Sequence, residues 1–247
     1  MFPNMPYFEV NREERHFGFL FLSALIASTG ARKTLIDYIN TKIAGNLCCE
    51  QIDAYAEVSL FRDYWRALGD SSKYTQETHE QRLRIFNRMA ETMGFDPSLI
   101  HVESVFWTGA PGSSKLFYPG KWMKSKINDA EERNNLVEKE LWRLRWACNA
   151  KPDVMIEDAE NFIFIEIKVE SGFGSSDNGY SQLQTQKDIL ALGEALIPSM
   201  QSKRTALITL TQDGPDLIWS EILRIIANSP DAPFFSMATR HLKSMPK

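Results

Sequence analysis

Residues 151–170 read KPDVMIEDAENFIFIEIKVE, two apolar runs on either side of Asp158-Ala159-Glu160. A short polar break between runs rich in β-branched and aromatic residues predicts a β-hairpin. Alternation along the second run sets Phe162, Phe164, Glu166, Lys168 and Glu170 on one face, with Ile163, Ile165, Ile167 and Val169 on the other. If Ala159 and Glu160 form a two-residue turn, Asp158 pairs with Asn161, and counting outward sets Asp153 opposite Glu166. Opposed side chains have Cβ atoms about 5 Å apart, close enough for one cation to bridge two carboxylates. A pairing shifted by two residues keeps the same face.

Two carboxylates and a lysine so placed suit phosphodiester hydrolysis. Attack on phosphorus builds negative charge, which a carboxylate-bound divalent cation offsets while it acidifies a bound water. Lys168 would orient or deprotonate that water and stabilise the developing charge. The competing reading is a surface hairpin whose charges alternate over a buried aliphatic face. Two internal comparisons bear on the choice: Pro215-Asp216 and Pro230-Asp231 repeat the Pro-Asp pair, and neither is followed by an acid-x-Lys tripeptide.

Pro152-Asp153 followed by Glu166-Ile167-Lys168 resembles the signature of the PD-(D/E)XK nuclease superfamily. The resemblance covers about residues 129–211. It implies a restriction-endonuclease-like core of order α, β, β, β, α, β, a mixed α/β sheet flanked by helices. It further implies that Asp153 and Glu166 ligate Mg²⁺ or Mn²⁺, that the Ile167 carbonyl adds a ligand, and that Lys168 serves the attacking water. Many members also carry an acidic residue on the helix before the hairpin and a Gln-Leu-x-x-Tyr pattern on the helix after it. Glu140 lies within the stripe Val137, Leu141, Leu144, Cys148, where a carboxylate without compensation is costly, and is the candidate extra acid; Glu138 is the alternative. Gln182 matches the glutamine position as a nucleic-acid contact, but Gln186 stands where tyrosine is common.

Upstream of residue 101 the periodicity is helical. Asn11 and Glu14 read as a capping box before a helix over 12–28, and further helices are predicted over 33–43, 50–68 and 76–93, with Gly69 and Gly94 as stops. The expected organisation is therefore a helical region, 1–100, before a nuclease-like core, 101–247. In that core a strand is predicted over 101–107, a helix over 129–148, a Gly/Ser loop over 171–179, a helix over 180–196, a strand over 206–211 and a helix over 217–227.

The 247 residues are 43% hydrophobic, enough for a sizeable core, and the net charge of −4 excludes a basic coat over the whole surface. Nucleic acid, with DNA the leading polymer, would be held by bound cations and a local basic strip. Lys115, Lys121, Lys124 and Lys126 form such a strip, interleaved with Phe106, Trp107, Phe117, Tyr118 and Trp122. Its lysines could neutralise phosphates and its aromatics stack on bases, or the aromatics could be core. Cys48, Cys49 and Cys148 have no zinc-binding spacing and fit reduced thiols in a cytoplasmic protein. The apolar run 17–27 is about half a bilayer span and follows acidic residues, so no membrane segment is expected. Two further readings compete with the nuclease: a nucleic-acid-binding module that keeps the fold without cutting, and an interaction subunit whose helices recruit a protein partner or a second copy.

Overall fold

The computed structural model describes residues 14–68, 75–97, 116, 118–122, 138–169, 181–236 and 240. Among these, eight α-helices and a five-stranded mixed sheet make a mixed α/β protein. The chain divides into two compact units interleaved along the sequence: Met1–Val58, Pro152–Gly174 and Lys203–Lys247 form one, Ser59–Lys151 and Ser175–Ser202 the other.

The first unit holds the sheet. Its elements are α1 (Glu14–Ala27), α2 (Thr29–Asn40), β1 (Asp53–Ala56), β2 (Val154–Glu157), β3 (Asn161–Ile167), β4 (Arg204–Thr211), β5 (Leu217–Ile218) and α8 (Trp219–Ala227). The strands lie in numerical order, antiparallel from β1 to β3 and parallel from β3 to β5. The hairpin has the expected register, Glu157 pairing with Phe162 and Val154 with Ile165. Asp158 makes its turn: Oδ1 accepts from the amides of Glu160 (2.9 Å) and Asn161 (2.7 Å), and Oδ2 from the amide of Cys48 (2.8 Å). Burial alone would push the Asp158 carboxyl up, but these hydrogen bonds outweigh it and hold the group below its ordinary value.

Phe17, Leu20, Phe21, Ala24 and Leu25 of α1, the buried stripe of α2, and Trp219, Ile222, Leu223 and Ile226 of α8 form one core with Ile163, Ile165, Ile167 and Val169. The predicted aliphatic face of the second strand is thus the core face. Every β3 residue is buried, on both faces, which a surface hairpin would not allow. The other two Pro-Asp pairs are structural. Asp216 accepts from the amide and hydroxyl of Thr209 (2.9 and 2.8 Å). Asp231 accepts from the hydroxyl of Ser28 (2.6 Å), whose oxygen in turn caps α2 at the Ala31 amide (2.9 Å).

The second unit is helical, with α3 (Leu60–Ala67), α4 (Gln76–Met93), α5 (Glu138–Asn149), α6 (Gln182–Leu196) and α7 (Pro198–Gln201). Gly94, at φ +80°, ends α4 in the left-handed conformation that favours glycine. Arg143 grips Asp188 with two hydrogen bonds (2.9 and 2.6 Å) and donates a third to the Met93 carbonyl, tying α4, α5 and α6.

Three expectations need correction. The helix predicted over 50–68 is instead the edge strand β1 followed by the short α3, because Asp53–Ala56 finds an antiparallel partner in β2, a pairing with residues a hundred positions away that no local periodicity carries. The helix predicted over 217–227 begins two residues later, since Leu217 and Ile218 pair with β4 first. In the helix predicted over 33–43, Ser28 moves the start forward to Thr29 and the last helical residue is Asn40. The capping-box Asn11, the strand over 101–107, residues 129–137 and the Gly/Ser loop lie outside the described residues. No single helix among the described residues is long and apolar enough to cross a membrane; α1 and α2 reach that length only together, bent by 110°.

Candidate metal-dependent active site

The site grows from the open end of the hairpin. Continuing the β2–β3 ladder one step beyond Val154 and Ile165 sets Asp153 across from Glu166. Asp153 Oδ2 accepts from the Ile167 amide at 2.7 Å, so the carboxylate is turned toward the neighbouring strand. Two residues along β3, which is one full pleat, Lys168 returns to the face of Glu166, and Nζ lies 3.4 Å from Glu166 Oε1. Ile167, between them, sends its side chain into the core. The Lys168 backbone is fixed from both sides: its amide donates to the Leu210 carbonyl (2.9 Å) and its carbonyl accepts from Trp219 Nε1 (3.1 Å).

A fourth member was not singled out by the sequence. Glu14, in the first turn of α1, accepts from Lys168 Nζ at 2.9 Å. The approach of α1 to β3 explains this reach. A Cβ on Gly18 would stand 3.3 Å from Ile167 Cδ1, so glycine lets the helix sit close over Ile167, and Glu14 lies one turn earlier on the same face. Phe17, three residues from Glu14, packs edge-on against Trp219 at 5.1 Å between centroids and holds the turn in place. The overlooked signal was an acid on the apolar stripe Phe17, Phe21, Ala24 and Leu25. That is the reasoning that pointed to Glu140, applied to another helix.

Burial dominates the electrostatics. Glu166 is 1% exposed, and its carboxyl is pushed up to about 7, by desolvation first and by Asp153 second, against the pull of Lys168. Asp153 is also raised, by burial and then by the charges of Glu14 and Glu57, which outweigh the Ile167 amide and Lys168. For Lys168 burial acts the other way, yet the Glu14 and Glu166 carboxylates more than compensate, and its proton is held more tightly than usual. Lys168 is therefore a cation here. The water-orienting and charge-stabilising roles suit it, and that of a base at neutral pH does not.

Among the described residues no group of three His, Cys, Asp or Glu is placed to hold a metal. The donor set still fits Mg²⁺ or Mn²⁺, because a hard cation of this size is commonly bound by one or two carboxylates and keeps waters and phosphate oxygens as its other ligands. Asp153 and Glu166 are such a pair, a half-buried and a fully buried carboxylate, the charge of the first disfavouring ionisation of the second, a cost that a bound cation would relieve.

The remaining sequence candidates belong to the second unit. Glu140 lies on α5 beside the buried Leu141 and Leu144, half-buried, with Oε2 shielded from solvent. Gln182 is exposed at the start of α6, while Gln186, at the position where the resemblance led one to expect tyrosine, is buried and donates to the Lys151 carbonyl at 3.3 Å. Lys121 is exposed, but Tyr118 and Trp122 are core: Tyr118 donates to the Cys148 carbonyl, and Trp122 packs on Phe86 at 5.8 Å. Of the two readings open for the aromatics, base stacking or core, these two rings take the core one, since burial leaves no face open. Lys115 and Lys124 lie outside the described residues. Comparisons with protein-family models, with curated proteins and with solved structures gave no match.

Proposed function

We propose that this chain is a metal-dependent nuclease that hydrolyses phosphodiester bonds, with DNA as the first substrate to test and a core of the PD-(D/E)XK type. The observation that carries the reading is Asp153 at the end of the hairpin, bonded to the Ile167 amide (2.7 Å) next to Glu166, with the Lys168 ammonium 3.4 Å from Glu166. The element sequence supports it as well. Helices α1 and α2, antiparallel strands β1, β2 and β3, helix α6 and parallel strand β4 keep the order α, β, β, β, α, β once α3, α4 and α5, which interrupt it between β1 and β2, are set aside, so its first helices and strand come from upstream of residues 129–211.

In this reading Asp153 and Glu166 would hold Mg²⁺ or Mn²⁺, with the Ile167 carbonyl as a further donor, and such an ion would supply an acidified water and charge compensation at the phosphate. Glu166, pushed up to about 7 by its burial, would have to bind such an ion in its ionised form. Lys168, steadied by Glu14, donates from Nζ to the attacking water or a non-bridging phosphate oxygen and offsets the charge that builds there. The β3 and α1 scaffold keeps these groups preorganised. Glu14 positions Lys168 and is assigned no contact with the substrate.

A panel of duplex DNA, single-stranded DNA and RNA, each with Mg²⁺, Mn²⁺ or excess chelator, tests the reading. Metal-dependent cleavage that falls by a factor of about a hundred or more in Asp153→Ala, Glu166→Ala and Lys168→Ala is the expected result. Cleavage unchanged in all three variants, or unaffected by chelator, contradicts it. Tight binding without cleavage would favour a non-catalytic binding module.

A further inference from the structure

Arg15 follows Glu14 in the first turn of α1 and is 86% exposed, yet its Nε lies 3.2 Å from Oε1 of Glu57. Glu57 is the only non-glycine residue at positive φ among the described residues, at +48°. It ends β1 in a conformation that L-residues adopt reluctantly, and its amide donates to the Asp153 carbonyl at 3.2 Å. A continuous chain of contacts results. Arg15 meets Glu57, Glu57 is bonded to the backbone of Asp153, Asp153 to the Ile167 amide, and Lys168 to Glu14, the neighbour of Arg15. Arg15 thus stands at the rim of the carboxylate site, tethered by a carboxylate whose own backbone is fixed to that site.

The charges there are unbalanced for the proposed substrate. Glu14, Asp153 and Glu166 lie about one buried ammonium, Glu57 adds its charge beside Asp153, and a nucleic-acid strand brings further negative charge. The Arg15–Glu57 pair is open to water, its partners 86% and 45% exposed, and such pairs are weak enough to exchange. A guanidinium presents a planar fork that matches two oxygens of a phosphate. We propose that Arg15 is the substrate-phosphate clamp of this site, held on Glu57 between substrates and exchanging that carboxylate for a backbone phosphate of the strand to be cut. The assignment rests on the nuclease reading, and it names a residue of substrate binding beyond the three signature positions.

Binding and cleavage measured side by side test it. Fluorescently labelled duplex DNA, single-stranded DNA and RNA are titrated across a salt series with Ca²⁺ in place of Mg²⁺, and cleavage is followed separately with Mg²⁺. For the polymer bound best, Arg15→Ala is expected to weaken binding about tenfold and to reduce the slope of log affinity against log salt by about one. Its loss in cleavage should fall on KM rather than on kcat. Arg15→Lys, keeping the charge without the fork, should retain the wild-type slope with part of the affinity, and Glu57→Gln should tighten binding by removing the competing carboxylate. Arg15→Ala that binds as wild type with an unchanged slope overturns the clamp. If wild type cuts and Arg15→Ala matches it, the clamp falls while the nuclease reading stands. If wild type binds without cutting, the nuclease reading falls and the same binding data decide the clamp; if wild type binds none of the polymers, both are overturned.

Discussion

Glu166 carries the largest electrostatic cost in the site, and that cost can be read from stability. Its carboxyl is pushed from 4.5 to about 7 by folding, chiefly through desolvation and then through Asp153. The folded state therefore binds this proton more tightly than the unfolded state. Its contribution to stability is fully present below the ordinary glutamate value and is lost as pH rises through about 7. A shift of that size corresponds to on the order of 3 kcal/mol. Denaturant unfolding of the metal-free protein should accordingly show wild type losing ground to Glu166→Gln between about pH 5 and pH 8; a wild-type-minus-variant difference that is flat over that window would contradict the assignment. Asp153, also raised, adds to the slope in the same direction, whereas Lys168, raised as a base, gives up stability only on the alkaline side of its ordinary value.

At the scale of elements, the hairpin and the α1 contact do the positioning. Asp158 accepts three backbone amides, so Asp158→Ala leaves turn donors without their acceptor and should destabilise the protein by about 1–3 kcal/mol, seen as a lowered urea midpoint with an unchanged m-value. A variant as stable as wild type would mean that the turn forms without its side chain. Gly18 lets α1 approach Ile167, and a Cβ there meets only the flexible end of that side chain. Gly18→Ala should therefore fold within about 1 kcal/mol of wild type, gaining helix propensity against a tight contact. Gly18→Val should cost about 1–3 kcal/mol and displace Glu14 from Lys168, so its cleavage rate should fall along with its stability. Full activity in a folded Gly18→Val protein would show that the close helix approach does not matter to the site.

The hairpin was legible because its information is local: strict alternation, a two-residue turn, and an aspartate able to bind the amides of that turn. Counting from Asp158 alone gives the register of Val154–Glu157 on Phe162–Ile165, whose next step sets Asp153 across from Glu166. β1 was illegible for the opposite reason, since Asp-Ala-Tyr-Ala becomes a strand only by meeting Val154–Glu157, and an edge strand of four residues has no pattern of its own. Glu14 was read for its local capping value, while its structural role depends on Lys168, 154 positions away. The aromatic strip stays open between stacking and core in the sequence because rings give the same signal whether buried or exposed; Tyr118 and Trp122 are buried.

For the molecule as a whole, the first unit contains every group of the candidate site, drawn from Glu14, Glu57, Asp153, Glu166 and Lys168. The first hundred residues contribute to both units, α1, α2 and β1 to the sheet-bearing one and α3 and α4 to the helical one. With a net charge of −4 and these carboxylates, the proposed nucleic-acid binding would depend on cations, either bound metal or side chains such as Arg15 and the exposed Lys121. Whether Asp153 and Glu166 share an ion decides the proposed function. Titration of Mn²⁺ into the protein at pH 8, followed by the electron paramagnetic resonance signal of the free ion, asks this without any substrate. Wild type should take up Mn²⁺ at a site that is lost in both Asp153→Ala and Glu166→Ala and weakened at pH 6, where Glu166 retains its proton. Absence of uptake by wild type, or uptake equal in wild type and both variants, would contradict it.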